Sequence, residues 1–155
     1  MNNEQQLIDH FYRAFQQRDH RAMAACYHPQ AHFRDAVFDL NGEDIGWTWR
    51  MLCERAEDFS LTFSLGKQPQ AVSADWQAQY RFSQTGRQVH NRIHARFRFK
   101  DGLIIGHDDD FSFWRWSRQA LGLVGVFLGW TPLLHNKVKA QALANLQAFK
   151  AKNGG

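Results

Sequence analysis

The chain reads as an α+β protein in which a curved antiparallel sheet and three N-terminal helices enclose an apolar pocket. Three observations predict this. Apolar residues recur at helical spacing in the N-terminal part of the chain, and from residue 59 the period changes to two. Two glycine-bearing dipeptides, Thr85-Gly86 and Asp101-Gly102, then separate strand-like runs where hairpin turns would fall.

Asn3 and Gln6 suit a capping box that opens a helix over 4–18, with Leu7, Ile8, Phe11, Ala14 and Phe15 on one face. Asp19 caps a second helix over 20–27 that turns Met23, Cys26 and Tyr27 inward, and Pro29 ends it. A short strand follows, with Ala31, Phe33 and Asp35 on one side and His32 and Arg34 on the other. Asn41 caps a third helix, 43–57, whose Ile45, Trp49, Leu52, Cys53 and Ala56 form an apolar stripe. Phe59, Leu61, Phe63 and Leu65 alternate with small polar residues, as in a strand with one wet face. Longer strands are predicted over 71–84, 87–100 and 103–116. Beyond them, Gly122, Gly125 and Gly129 punctuate an apolar run over 121–130. Thr131-Pro132 then opens a helix with Leu134, Val138, Ala142, Leu146 and Phe149 on one side. The expected organisation is one domain over 1–117, a helical extension of it over 118–150 and a fraying tail over 151–155.

A chain of 155 residues suits a single core. With 44% apolar residues, six Trp and thirteen Phe, it can both fill that core and line a ligand cavity. The formal charge of +4 is mild and the signs are mixed, which gives no reason to expect nucleic acid. Cys26 and Cys53 fall on apolar helix faces, as buried reduced thiols do. Met1-Asn2-Asn3-Glu4 has neither the basic start nor the apolar stretch of a secretory signal, and the run 121–130 is too short to span a bilayer. A cytoplasmic enzyme or binding protein is the expected class.

The hairpins fix a register. A two-residue turn at Asp101-Gly102 sets Phe97 opposite Gly106, Ala95 opposite Asp108 and Ile93 opposite Asp110, so Asp108 and Asp110 share the face of Val89, Ile93, Phe97 and Phe99. Ser112, Trp114 and Trp116 continue that face. The same rule at Thr85-Gly86 sets Tyr80 opposite Asn91 and Trp76 opposite Ala95, and agrees on which face is apolar. The other face carries Arg92, His94, Arg96, His107 and Asp109 among others, with His94 and Asp109 as a cross-strand pair. Phe111 and Phe113 also fall there, where a second subunit would cover them. A one-residue bulge near 106–108 would reverse the assignment of all three aspartates.

Three segments carry a family resemblance. They are Phe11-Tyr12-Arg13-Ala14-Phe15 with Asp19, the run from Tyr27 to Asp35, and Phe97-Arg98-Phe99-Lys100-Asp101-Gly102. In order and spacing they resemble the nuclear-transport-factor-2-like superfamily, which includes SnoaL-like polyketide cyclases, ketosteroid isomerases and limonene epoxide hydrolase. The stretch from Phe113 to Gly122 resembles an uncharacterised bacterial SnoaL-like branch. The resemblance covers about residues 4–116 and implies a cystatin-like cone, a pocket and a homodimer formed through the outer face of the sheet. It places Asp35 at the position of the isomerase general base. It also places Phe11 where the isomerases have a phenol and Ala95 near their protonated acid, so the oxyanion hole of steroid isomerisation is missing from its usual place.

Asp35, Asp108 and Asp110 are the candidate catalytic groups. A carboxylate in an apolar cavity is pushed toward its neutral form and can exchange a proton with a substrate; the ordinary alternative is a turn cap, a partner for Arg or a place at the wet rim. Tyr80 and Asn91 either orient a substrate oxygen or satisfy each other. Trp49, Trp76, Trp114 and Trp116 stack on a flat ligand or are plain core. The eight histidines show no zinc-like spacing, and neither a metal nor a cofactor is expected. The expected partner is an apolar or carbonyl-containing small molecule. Contact of the C-terminal helix with a membrane is a lesser alternative, as is a non-catalytic binder or a dimerisation module.

Overall fold

The helical half of the chain forms as its periodicity dictates. The computed structural model describes residues 1–66 and 72–154. Helix α1 (Asn3–Gln16) buries Ile8, Phe11, Tyr12, Ala14 and Phe15, and its capping box is Asn2 with Gln5, one residue earlier than the pair expected. Asp19 caps α2 (His20–Ala25) by accepting from the Ala22 amide. That helix stops short of Tyr27, which already opens strand β1 (Tyr27–Arg34). Strand β2 (Asp39–Asn41) has only three residues and no readable alternation; it folds back antiparallel on β1. Asn41 therefore ends a strand instead of capping a helix. Gly42, with φ of 59°, turns the chain into α3 (Glu43–Arg55), a conformation that glycine adopts without a Cβ clash.

Strands β3 (Glu57–Leu65), β4 (Val72–Arg81), β5 (Gln88–Lys100) and β6 (Leu103–Asp110) complete a six-stranded sheet in the order β2-β1-β6-β5-β4-β3. The predicted start of β4 at residue 71 lies outside the described residues. β1 runs parallel to β6, and every other pair is antiparallel. The apolar face of this sheet and helices α1 to α3 close on one core, centred on Phe11, Phe15, Trp49, Trp76 and Phe97. This is the α+β cone that the sequence predicts.

After Asp110 the prediction fails. The strand expected to run to 116 gives way to α4 (Phe113–Leu121), capped by the Ser112 hydroxyl, which accepts from the Arg115 amide. Phe111 and Phe113 alternate as in a strand. The deciding pattern is Phe113, Trp116, Ser117 and Ala120, buried at helical spacing. Phe113, Trp116 and Ala120 pack with Val89 in a second apolar cluster. Phe113 is thus buried and Phe111 half-buried, so neither argues for a second subunit on the outer face. Helix α5 (Leu123–Leu128) follows, and α6 (Pro132–Asn153) stays helical through most of the segment expected to fray. Lys150 ties α6 to the start of α3, its Nζ lying 2.8 Å from Asp44 Oδ1 and 3.2 Å from Glu43 Oε1.

Candidate active site

One extra residue in β6 decides which side chains enter the pocket. Past the Asp101-Gly102 turn, Phe99 pairs with Ile104, as a two-residue turn requires, but Arg98 pairs with Gly106 and Ile105 is left unpaired. Beyond this bulge the phase is reversed, with Phe97 opposite His107, Arg96 opposite Asp108, Ala95 opposite Asp109 and His94 opposite Asp110. The Arg98 guanidinium lies over Gly106, where a Cβ would collide with it.

The assignment of the acids in β6 is therefore inverted. Asp108 points outward, with Arg34 Nε 3.7 Å from its Oδ1, and Asp110 is exposed. Neither lines the cavity. His107 and Asp109, expected on the wet face, are buried. His94 pairs with Asp75 at 2.8 Å, not with Asp109.

The β4–β5 hairpin differs more gently. Phe82 N donates to Arg87 O at 2.8 Å, so the loop is longer than a two-residue turn, and partners shift by two: Tyr80 with Val89, Ala78 with Asn91, Trp76 with Ile93. An even slip leaves the faces unchanged. Tyr80 and Asn91 both still line the cavity, but they do not pair. Trp116 Nε1 instead donates to the Tyr80 hydroxyl at 2.9 Å.

The cavity has a volume of about 790 Å³. Trp49 of α3, Trp76 and Ala78 of β4, Ile93 of β5, Trp116 of α4 and Val138 of α6 make its walls largely apolar. Trp114 is exposed and does not line it. Asp35, Asn91 and Asp109 are the polar groups at its inner end. The parallel ladder ends with Arg34 paired to Asp108; Asp35, just past the end of β1, and Asp109 of β6 both line the cavity.

Each carboxylate is held. Asp35 Oδ1 accepts from the amides of Val37 at 2.7 Å and Phe38 at 2.6 Å. Burial raises its pKa to about 6 against the pull of those two bonds, and the charge of Asp109 adds to the rise.

Asp109 ends a buried relay. Trp49 Nε1 donates to the Tyr27 hydroxyl (3.1 Å), which lies 2.7 Å from His107 Nδ1; His107 Nε2 lies 2.8 Å from Asp109 Oδ1, and Trp76 Nε1 donates to the same oxygen at 3.4 Å. An indole can only donate. A carboxylate only accepts, so in the neutral imidazole the proton sits on Nε2, aimed at Asp109, and Nδ1 accepts from the Tyr27 hydroxyl, whose oxygen accepts from Trp49. Burial also holds the Tyr27 phenol well above its ordinary pKa.

The sequence reading missed Tyr27, His107 and Asp109. Their signal is the spacing His-x-Asp on a strand, which becomes legible once Ile105 is recognised as surplus. Phe11, at the isomerase phenol position, is fully buried and meets Tyr27 and His107 edge-on, so it supplies shape but no hydrogen bond. Among the described residues no group of three or more His, Cys, Asp or Glu is arranged to hold a metal ion.

Fold and cavity define a cone-shaped α+β pocket protein of the nuclear-transport-factor-2-like kind. The chain belongs to the SnoaL-like domain family, whose model matches residues 8–107. Its fold is similar to that of TsrD from Streptomyces laurentii, at 26% identity and a TM-score of 0.65, over 77% of this chain and 95% of that one. It is also similar to a provisionally assigned polyketide cyclase from Silicibacter sp. tm1040, at 15% identity and a TM-score of 0.68, over 76% and 95% of the two chains. An LEH-like epoxide hydrolase from M. tuberculosis shares 18% identity and a TM-score of 0.64, over 81% and 96%. At such identities the last two show the fold alone. No curated protein matches the chain in sequence.

Proposed function

We propose that this protein is an enzyme that moves a proton on an apolar small molecule bearing a carbonyl or epoxide oxygen, in an isomerisation, cyclisation or hydration. The observation that carries this reading is the presence of two carboxylates, Asp35 and Asp109, side by side in one largely apolar cavity. Asp35 is the exchanging group. With a pKa of about 6 it is ionised often enough near neutral pH to take a proton, and basic enough to hold and return it. Asp109 is the positioning partner: His107 and Trp76 fix its orientation, and its charge favours the protonated form of Asp35.

Tyr80 and Asn91 suit the substrate oxygen. The Tyr80 hydroxyl already accepts from Trp116, so its proton is free to be donated, and the Asn91 amide adds a second donor on the cavity wall. Steroid isomerisation is not proposed, because Phe11 and Ala95 stand where its two donors would be. The folds shared with a cyclase and an epoxide hydrolase are consistent with a pocket of this kind, and neither supplies a substrate.

The test is exchange of deuterium from heavy water into the carbon next to the carbonyl, across a panel of apolar ketones and 1,3-dicarbonyls, followed by NMR. Exchange by the wild type that falls at least about a hundredfold in Asp35→Asn supports the reading. A protein that binds panel members without exchange, and whose Asp35→Asn variant keeps the same affinity, is a carrier of apolar metabolites or lipids. The largely apolar walls favour that second reading.

A further inference from the structure

The segment that the cavity does not absorb is the apolar run after α4. Leu123 is 74% exposed, Phe127 68%, Trp130 73% and Leu133 79%, and Val124, Val126 and Leu128 are exposed beside them. This is an inside-out arrangement. Helix α5 seats on α4 through Gly125 and Gly129, where any Cβ would strike Ser117, so its large side chains are left facing out. A soluble domain seldom leaves so contiguous an apolar patch uncovered.

The charge of the segment that carries the patch is one-sided. Residues 111–155 hold six of the chain's 19 Lys and Arg and none of its 15 Asp and Glu; residues 1–110, with 13 and 15, are net −2. Lys150 is engaged by Glu43 and Asp44. Arg115, Arg118, Lys137 and Lys139 are exposed, and Arg118 lies 4.8 Å over the ring of the exposed Trp114. Apolar side chains, two exposed indoles and basic groups without acidic neighbours in the segment match the layers of an anionic bilayer surface: hydrocarbon, interface and phosphate. A second copy of the chain is a poorer match, since it would oppose two basic segments.

We propose that α5, Trp130 and Leu133 dock this protein on anionic phospholipid membranes, lying in the interface with Arg115, Arg118, Lys137 and Lys139 over the lipid phosphates. No helix among the described residues is long and apolar enough to cross a membrane, so the contact is peripheral. Val124 and Lys137 belong both to this surface and to the cavity wall. Docking there would set part of the cavity wall against the bilayer. The inference stands whether or not Asp35 moves a proton.

The experiment is co-sedimentation of the full chain with vesicles of phosphatidylcholine alone, or mixed with phosphatidylglycerol, at low and high salt. Docking predicts binding at least about tenfold tighter to the mixed vesicles at low salt, with the advantage lost at high salt. Phe127→Asp and, separately, Trp130→Glu abolish it, with unchanged circular dichroism because both side chains are exposed. The double variant Lys137→Gln, Lys139→Gln weakens it by about tenfold. Equal binding to both lipids, wild-type binding by Phe127→Asp, or no vesicle binding together with a dimer that Phe127→Asp dissociates would each overturn the proposal; the last would assign the patch to a second copy.

Discussion

Nε2 of His107 lies 2.8 Å from Oδ1 of Asp109, two residues further along the same strand. Residues at that spacing point to one face, so β6 alone supplies both groups, and helix α3 and strands β1 and β4 lock them from either end through Trp49, Tyr27 and Trp76. The acceptor-only carboxylate of Asp109 at one end and the donor-only indole of Trp49 at the other set the direction of the protons between them. In a nitrogen-15 spectrum of the His107 ring, Nε2 should therefore carry the proton and Nδ1 should resonate as an acceptor. The opposite tautomer would show that the relay runs the other way.

Replacing Asp109 separates the hydrogen bonds from the charge. Asn keeps a carbonyl oxygen for His107 and Trp76, and Asp109→Asn should stay within about 1 kcal/mol of the wild type in chemical denaturation. Asp109→Ala strands two buried donors and should cost about 2–4 kcal/mol, at about 1–2 for each. Equal losses in the two variants would mean that charge, not donor satisfaction, holds this end of the relay.

Asp35 makes stability depend on pH in a direction opposite to most acids. Its pKa rises from the ordinary value of 3.8 to about 6 on folding, so folding takes up a proton between those values. Stability should fall as pH rises from about 4 to 6, by up to about 3 kcal/mol, and level off above that window as far as this group is concerned. Asp35→Asn keeps an oxygen for the Val37 and Phe38 amides, removes the slope and should melt higher than the wild type at pH 8. A variant that melts lower there would contradict the burial of a destabilised carboxylate.

Periodicity made much of this architecture legible, and its failures are local. Helices α1 to α3 are readable because their apolar residues face one core. The faces of β4 and β5 are readable even though the turn at Thr85-Gly86 is misjudged, because a slip of two residues moves no side chain across the sheet. In β6 a surplus of one residue moves them all, and Leu103-Ile104-Ile105-Gly106 contains only a glycine to mark it. Asp35 could be placed because it directly follows the short alternation of β1, before any bulge intervenes. Helix α4 was hidden because Phe111 and Phe113 alternate just before the helical spacing begins.

That surplus residue can be removed. Without Ile105 the ladder would run in phase from Ile104 to Gly106, and Arg98–Gly106, Phe97–His107 and Ala95–Asp109 would pair as they do now, so His107 and Asp109 stay on the cavity face. Kept in the ladder opposite Arg98, Ile105 would instead drive Asp108 and Asp110 onto the apolar face, where two carboxylates without partners cost several kcal/mol each, comparable with the whole stability of a domain of this size. Deleting Ile105 should therefore keep a cooperative transition, with the His107 ring still shielded. Ile105→Ala keeps the bulge and loses only part of a half-buried side chain, so it should cost no more than about 2 kcal/mol and leave the Tyr27–His107 contact intact. A deletion variant without a cooperative transition, or with the His107 ring exposed, would show that the bulge itself, and not the pairing that follows it, turns His107 and Asp109 into the cavity.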